Sequence, residues 1–268
     1  MSQTAATAHR QDVGGSVLEA RKVSKRFGGL QVLTDCSLQV REKTIVAIVG
    51  PNGAGKTTLF NVLTGQVAPS SGHVLLDDQD ITGKAPERIA RLGAVKTFQV
   101  PREFASLTVL ENLMVSGSAH SDASLWRAIF RRPGLHGAEG DRVDRAAETL
   151  KFLNLSHMVF EPAMSLSTGQ KKLLDLGRAM MLDPRLLLLD EPLAGVSPKL
   201  ADDIASRLEE LRQSGVSIAL IEHRLDFVSD ICQEMYVLAE GQILVHGDPE
   251  TCLSDQRVVD AFLGVEVS

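Results

Sequence analysis

The stretch "GPNGAGKTT", Gly50 to Thr58, carries the most explicit chemistry in the chain. It fits GxxxxGK[ST], with Gly50, Gly55, Lys56 and Thr57 at the fixed positions and Pro51, Asn52, Gly53 and Ala54 between them. Glycines here let successive backbone N–H groups curl inward around phosphate oxygens. A helix starting at Lys56 adds its positive end, the Lys56 ammonium reaches the β- and γ-phosphates, and the Thr57 hydroxyl, next to Thr58, is a Mg2+ ligand. The competing reading, a plain glycine turn, is disfavoured by the strand expected before it and the helix expected after it. The motif describes a nucleoside-triphosphate site.

A second constellation is "LLLLDEP", an apolar run ending in Asp190 and Glu191. Asp190 is suited to hold Mg2+ through water. Glu191 is suited to polarise a water in line with the γ-phosphate, a contribution of roughly 10²–10⁴-fold in rate. A helix N-cap with an accompanying acid is the bland alternative, and the phosphate loop weighs against it. "TFQV" offers the Gln99 amide as a Mg2+ contact and γ-phosphate sensor, and "ALIEH" ends with His223 as a γ-phosphate contact. "LSTGQKK", from Leu166, contains no acid, cysteine or histidine, so whatever it holds must be held by its turn.

The surrounding patterns supply a scaffold for these residues. Val17 to Val23 and Cys36 to Val40 alternate as half-exposed strands with "RFGGLQVL" between them, and "SSGHVLLDDQDITG" reads as a hairpin. "TIVAIVG" is a β-branched run suited to a strand buried on both faces. A helix from Lys56 stops near Gly65. From about 101 to 162 helical patterns dominate, including "LTVLENLMVSG" and "RVDRAAETLKFLNL", and form a lobe inserted between strands. A helix Gln170 to Leu182, a strand Leu186 to Leu189, a helix around Lys199 to Gln213, the strand "VSIALIEH" and a hairpin turning at Glu240-Gly241 complete the pattern. Strands alternating with helices predict a mostly parallel sheet, with Asp190, Glu191 and His223 at the carboxyl edge where a ligand crevice opens.

Composition sets outer limits. The 268 residues are 44% hydrophobic and 23% charged, an ordinary globular balance, and the net charge of −6 argues against a broadly basic, nucleic-acid-binding surface. Cys36, Cys232 and Cys252 have no metal or redox spacing and are expected to be idle thiols. No run approaches the ~20 apolar residues that cross a bilayer, and the polar residues 1–16 are expected to be a flexible lead-in. "SLWRAIFRR" is expected to be a short amphipathic helix, folded on the lobe or facing a partner or lipid headgroups.

Taken together, these motifs resemble the ATP-binding subunit of ABC transporters. The likeness spans nearly the whole chain from Val17. It implies an α/β P-loop NTPase core, a mostly parallel sheet plus an antiparallel β subdomain, with an inserted helical subdomain. One domain over 17–268 is expected, with core 17–100 and 163–268 and lobe about 101–162. "LSTGQ" then matches the family's signature, usually LSGGQ: Ser167, Thr168, Gly169 and Gln170 form an anion receptor aimed at the ATP held by a second copy's phosphate loop. Phe27 in "KRFGG" matches the aromatic that stacks on adenine, Gln99 the Q-loop, Asp190 and Glu191 the Walker B pair, and His223 the switch histidine. Two positions depart from the family pattern: Thr168 replaces a glycine, and Ser197 stands where many members carry aspartate.

The resemblance implies ATP and Mg2+ as cofactors and a cytoplasmic subunit peripheral to the membrane. Its partners would be a second ATP-binding subunit (identical or paralogous), membrane-spanning permeases and, through them, an extracytoplasmic solute-binding protein. "GPNGAGKTTLFNVLTG", "TFQVPREFASLTVLENL" and "VVDAFLG" are most similar to branched-chain amino acid importers. Amide or urea importers, lipopolysaccharide extractors and soluble non-transport ABC ATPases remain the alternatives.

Overall fold

The structure is a computed structural model that describes residues 15–97, 103–116 and 137–263. Strands β1 (Ser16–Phe27) and β2 (Leu30–Arg41) form a long hairpin, followed by β3 (Ile45–Val49) and helix α1 (Lys56–Leu63). Next come β4 (Ser71–Leu76), β5 (Gln79–Asp80), α2 (Pro86–Arg91) and β6 (Ala94–Lys96). Helices α3 (Val109–Ser116), α4 (Gly137–Phe152) and α5 (Thr168–Met180) lead to β7 (Leu186–Asp190), α6 (Pro198–Gln213) and β8 (Ser217–Ile221). The chain continues through α7 (Leu225–Ile231), β9 (Glu234–Ala239), β10 (Gln242–Gly247), α8 (Pro249–Leu253) and α9 (Gln256–Leu263).

The strands make two sheets. Six run in the order β10-β9-β3-β8-β7-β6, all neighbours parallel except the β9–β10 hairpin. The other four, β2-β1-β4-β5, are antiparallel. β3, β7 and β8 are buried at every residue, as expected for central strands covered on both faces.

The central sheet divides the core in two. Ile45, Ala47 and Val49 face one cluster with Leu187 and Leu189, α3's Val109 and Leu113, α4's Ala146 and Leu150, and α5's Leu173 and Leu174. Val46 and Ile48 face another with Leu186, Leu188, α1's Leu59, Phe60 and Leu63, and β1 and β2. The period-2 alternation along β3 is thus read out as two separate cores.

Three boundaries differ from the pattern reading. β1 begins at Ser16, inside the expected lead-in, because Ser16 is already in register with Arg41. β1 and β2 run on to Phe27 and Leu30, since bulges at Lys22 (φ 46°) and Asp35 (φ 49°) interrupt the alternation without ending the pairing. α5 starts at Thr168, two residues before the expected Gln170, because Ser167 caps it. The segment "SLWRAIFRR" and residues 1–14 lie outside the described residues.

Candidate functional site

The phosphate-loop residues lie between β3 and α1 as the spacing predicts. Gly50 has φ 151° and runs against β9 so closely that a Cβ would stand 2.0 Å from the carbonyl oxygen of Leu238. Gly53 (φ 81°) also takes a conformation that favours glycine, but with open space around it. Gly55 is the N-cap of α1, so the first helical amides point into the loop. Asn52, Gly53 and Thr57 are exposed, Pro51 and Thr58 are half-buried, and Ala54 is buried beneath them. Lys56 is buried, and its Nζ donates to the carbonyl oxygens of Gly50 at 2.7 Å and Pro51 at 2.8 Å. Burial pulls the Lys56 pKa down, while the charges of Glu191 and Asp190 push it back up. The fold therefore brings the loop lysine into the field of both acids.

Asp190 ends β7, 2% exposed. Its Oδ2 pairs with Lys96 Nζ at 3.2 Å, and Lys96 also donates to Asn61 Oδ1 at 2.8 Å. Its Oδ1 is buried with no hydrogen-bond partner. An orphaned carboxylate oxygen beside a phosphate loop fits a metal-bound water.

Glu191 follows in a left-handed conformation, φ 51°, uncommon for a residue with a side chain. Its amide donates to Ile221 O at 3.0 Å, and its carbonyl accepts from Ala194 N at 3.2 Å and Lys172 Nζ at 3.0 Å. That turn swings its carboxylate toward the end of β8, where Oε1 meets His223 Nε2 at 3.0 Å. Glu222, between them in sequence, is buried and accepts from the amides of Leu193 at 2.8 Å and His223 at 3.1 Å. Burial raises the Glu222 pKa, and those amide donors oppose the rise. This buried carboxylate fixes the loop after Glu191 to the backbone of His223.

The turn at Ser167 is built differently. Ser167 caps α5: Gln170 N donates to Ser167 Oγ at 3.3 Å, and Ser167 N donates to Gln170 Oε1 at 2.9 Å, a reciprocal capping box. Ser167 and Thr168 are exposed, whereas Gly169 is buried against α6, where a Cβ would lie 2.1 Å from Leu200 Cδ2. The Thr168 side chain turns toward Gly195, with Cγ2 3.4 Å from where a Cβ would stand. Phe27 ends β1 47% exposed, with Lys25 Nζ 4.8 Å from its ring centroid. A half-exposed ring carrying a cation is free to stack with its other face.

Phosphate loop, Asp190, Glu191 and His223 thus converge at one sheet edge, while Ser167 to Gln170 form a separate helix start exposed at Ser167 and Thr168. Gln99 lies outside the described residues. Pattern reading missed Lys96, Lys172 and Glu222. Only Glu222 left a trace, as the acid next to His223 at the end of a buried strand. Cys36, Cys232 and Cys252 are all buried and unpaired with one another. Among the described residues, no helix is long and apolar enough to cross a membrane.

Comparison with known proteins gives a consistent picture. Residues 33–194 match the ABC transporter family. The branched-chain amino acid transport ATP-binding protein BraF of Pseudomonas aeruginosa is 39% identical over 249 residues, covering 92% of this chain and 98% of that one. The probable branched-chain amino acid transport ATP-binding protein LivG of Archaeoglobus fulgidus is 38% identical over 252 residues, 94% of this chain and 97% of that one. Among solved structures, the ADP conformation of an ATP-binding cassette of an ABC transporter superposes with TM-score 0.82 at 37% identity, covering 93% and 99% of the two chains. A nucleotide-free cassette superposes with TM-score 0.81 at 36% identity, over 92% and 98%. With its phosphate loop, paired acids and sheet order in place, the chain belongs to the ABC transporter family and is one of its ATP-hydrolysing, ATP-binding subunits.

Proposed function

We propose that this ATPase works as half of a head-to-tail dimer. Each subunit's Lys56 loop holds one ATP, and the Ser167–Gln170 helix start of the other subunit, identical or paralogous, closes over it. The observation that carries this reading is the exposed capping box at Ser167. It offers an exposed Ser167 hydroxyl at the positive end of a helix whose start the capping box holds rigid, the features an anion receptor needs.

Each residue then has a role. Lys56 and the loop amides cradle the phosphates. Glu191 draws a proton from the attacking water, and His223, bonded to its carboxylate, holds that group in line and contacts the γ-phosphate. Phe27 stacks on adenine. Mg2+ fits here on the evidence of the orphaned Asp190 Oδ1, with Thr57 and, from sequence, Gln99 as the other candidate ligands. What it supplies when bound is neutralisation of charge on the phosphate oxygens.

Closing and reopening of the pair would drive membrane-spanning permease subunits from the cytoplasmic face. Resemblance to BraF and LivG favours import of branched-chain amino acids or a related amide-like solute, delivered by an extracytoplasmic binding protein.

Glu191→Gln tests the shared site. It should keep ATP binding, nearly abolish turnover, and accumulate a closed dimer by light scattering with Mg-ATP. A variant that stays monomeric with and without its membrane partner would refute the model.

A further inference from the structure

Helix α5 starts with the signature turn, yet it packs directly on the segment that follows Glu191. Lys172, in its second turn, is buried and donates to the Glu191 carbonyl at 3.0 Å. Gly169 is packed on Leu200, and Thr168 lies near Gly195, its Cγ2 3.4 Å from where a Cβ there would stand. One helix start therefore lies along the post-Glu191 segment and bonds it at Glu191.

Glu191 needs such support. Its φ of 51° is an unfavourable conformation for a residue with a Cβ, so neighbours must over-determine it. A buried ammonium on its carbonyl is a charge-assisted hydrogen bond, among the stronger kinds. Burial lowers the Lys172 pKa, and the charges of Asp175, Glu191, Glu222 and Asp190 oppose that shift. A cavity of about 20 Å³, room for roughly one water, lies beside it, lined by Thr97, Lys172, Asp175, Leu189 and Asp190 among others.

We propose that Lys172 is a positioning residue linking the two ATP sites of the dimer. It ties the helix that caps the partner's nucleotide to the backbone of the Glu191 that serves the nucleotide of its own subunit. The inference rests on the shared-site reading above. Docking of Ser167 on the partner's triphosphate fixes α5, and through Lys172 it fixes the turn that aims the Glu191 carboxylate. Each site then hydrolyses fastest when the other is loaded.

The test uses the full chain with its membrane partner, comparing Lys172→Met and Lys172→Arg. Removing the donor should lower kcat about tenfold or more while leaving the ATP dissociation constant within about twofold. The Hill coefficient for ATP, above one in the wild type, should fall to one, and Lys172→Arg should restore both values. Lys172→Met placed in the Glu191→Gln background should still form the Mg-ATP dimer. If Glu191→Gln alone fails to dimerise, the shared site falls and this inference with it. If Glu191→Gln dimerises but Lys172→Met turns over normally, or the wild type shows no cooperativity, only the link between sites is overturned. Equal loss in Lys172→Met and Lys172→Arg would mean packing rather than positioning, and would also overturn it. Should Lys172→Met melt early, Lys172→Gln carries the same comparison.

Discussion

Lys96 grips one carboxylate oxygen of Asp190 at 3.2 Å, and the other oxygen has no hydrogen-bond partner. Both side chains are almost wholly buried, so the pair is a neutralised charge held just beneath the phosphate loop. Removing one member leaves an uncompensated buried charge, which costs far more than an ion pair at the surface. Lys96→Met is expected to destabilise the chain by about 3–5 kcal/mol. Urea denaturation without nucleotide measures that loss, and Mg-ATP should recover part of it by binding only the folded state.

His223 is the next lever. Its Nε2 contact with Glu191 Oε1 links two strand ends, so His223→Ala removes that contact without touching the phosphate loop. Turnover should drop by roughly 10²–10³-fold while nucleotide affinity stays within a factor of about two. Steady-state hydrolysis paired with a fluorescent-nucleotide titration separates these effects. A large affinity loss with unchanged turnover would reverse the assigned role.

The two loop glycines Gly50 and Gly53 should respond differently to a methyl group. A Cβ at Gly50 collides with the backbone oxygen of Leu238, which cannot step aside, whereas one at Gly53 meets only open space in a strained φ. Gly50→Ala should cost at least about 3 kcal/mol, combining overlap and strain. Gly53→Ala should cost about 1–2 kcal/mol from conformation alone. Parallel denaturation curves give the ordering directly.

Burial of the cysteines fixes their reactivity. The Cys36 thiol is pushed up to about 11 and the Cys232 thiol to about 12, each mainly by desolvation, and Cys252 is raised by the same cause. A thiol-specific disulfide reagent at pH 8 should label none of them in the folded chain and all of them in urea. Because the folded chain holds these protons more tightly, their contribution to stability is complete below the ordinary thiol pKa of 9.0 and is lost as pH climbs through about 11. Melting temperature should decline over that interval, and less steeply in Cys36→Ala.

How much of this was legible beforehand depended on the range of the interactions. The placement of the phosphate loop, Asp190, Glu191 and His223 could be read because each stands at the end of a strand whose apolar run is visible in the sequence. The parallel core could be read because β3, β7 and β8 are continuous apolar runs. Lys96 and Lys172 look like ordinary surface lysines in sequence, and only the fold turns them inward onto Asp190 and Glu191. Gly169 is similar: its burial against Leu200 supplies a packing reason for glycine that no local pattern contains. β1 and β2 were read short because bulged residues break the very alternation used to find strands.

The two-sided core carries a mechanical implication. Helices α3, α4 and α5 share their oil with one side of β3 and β7, while the phosphate loop's helix and the antiparallel sheet share theirs with the other. Among the described residues, a change in the packing of α3, α4 or α5 would therefore bear first on one compartment, and would meet the phosphate loop's helix only across the strands that separate the two.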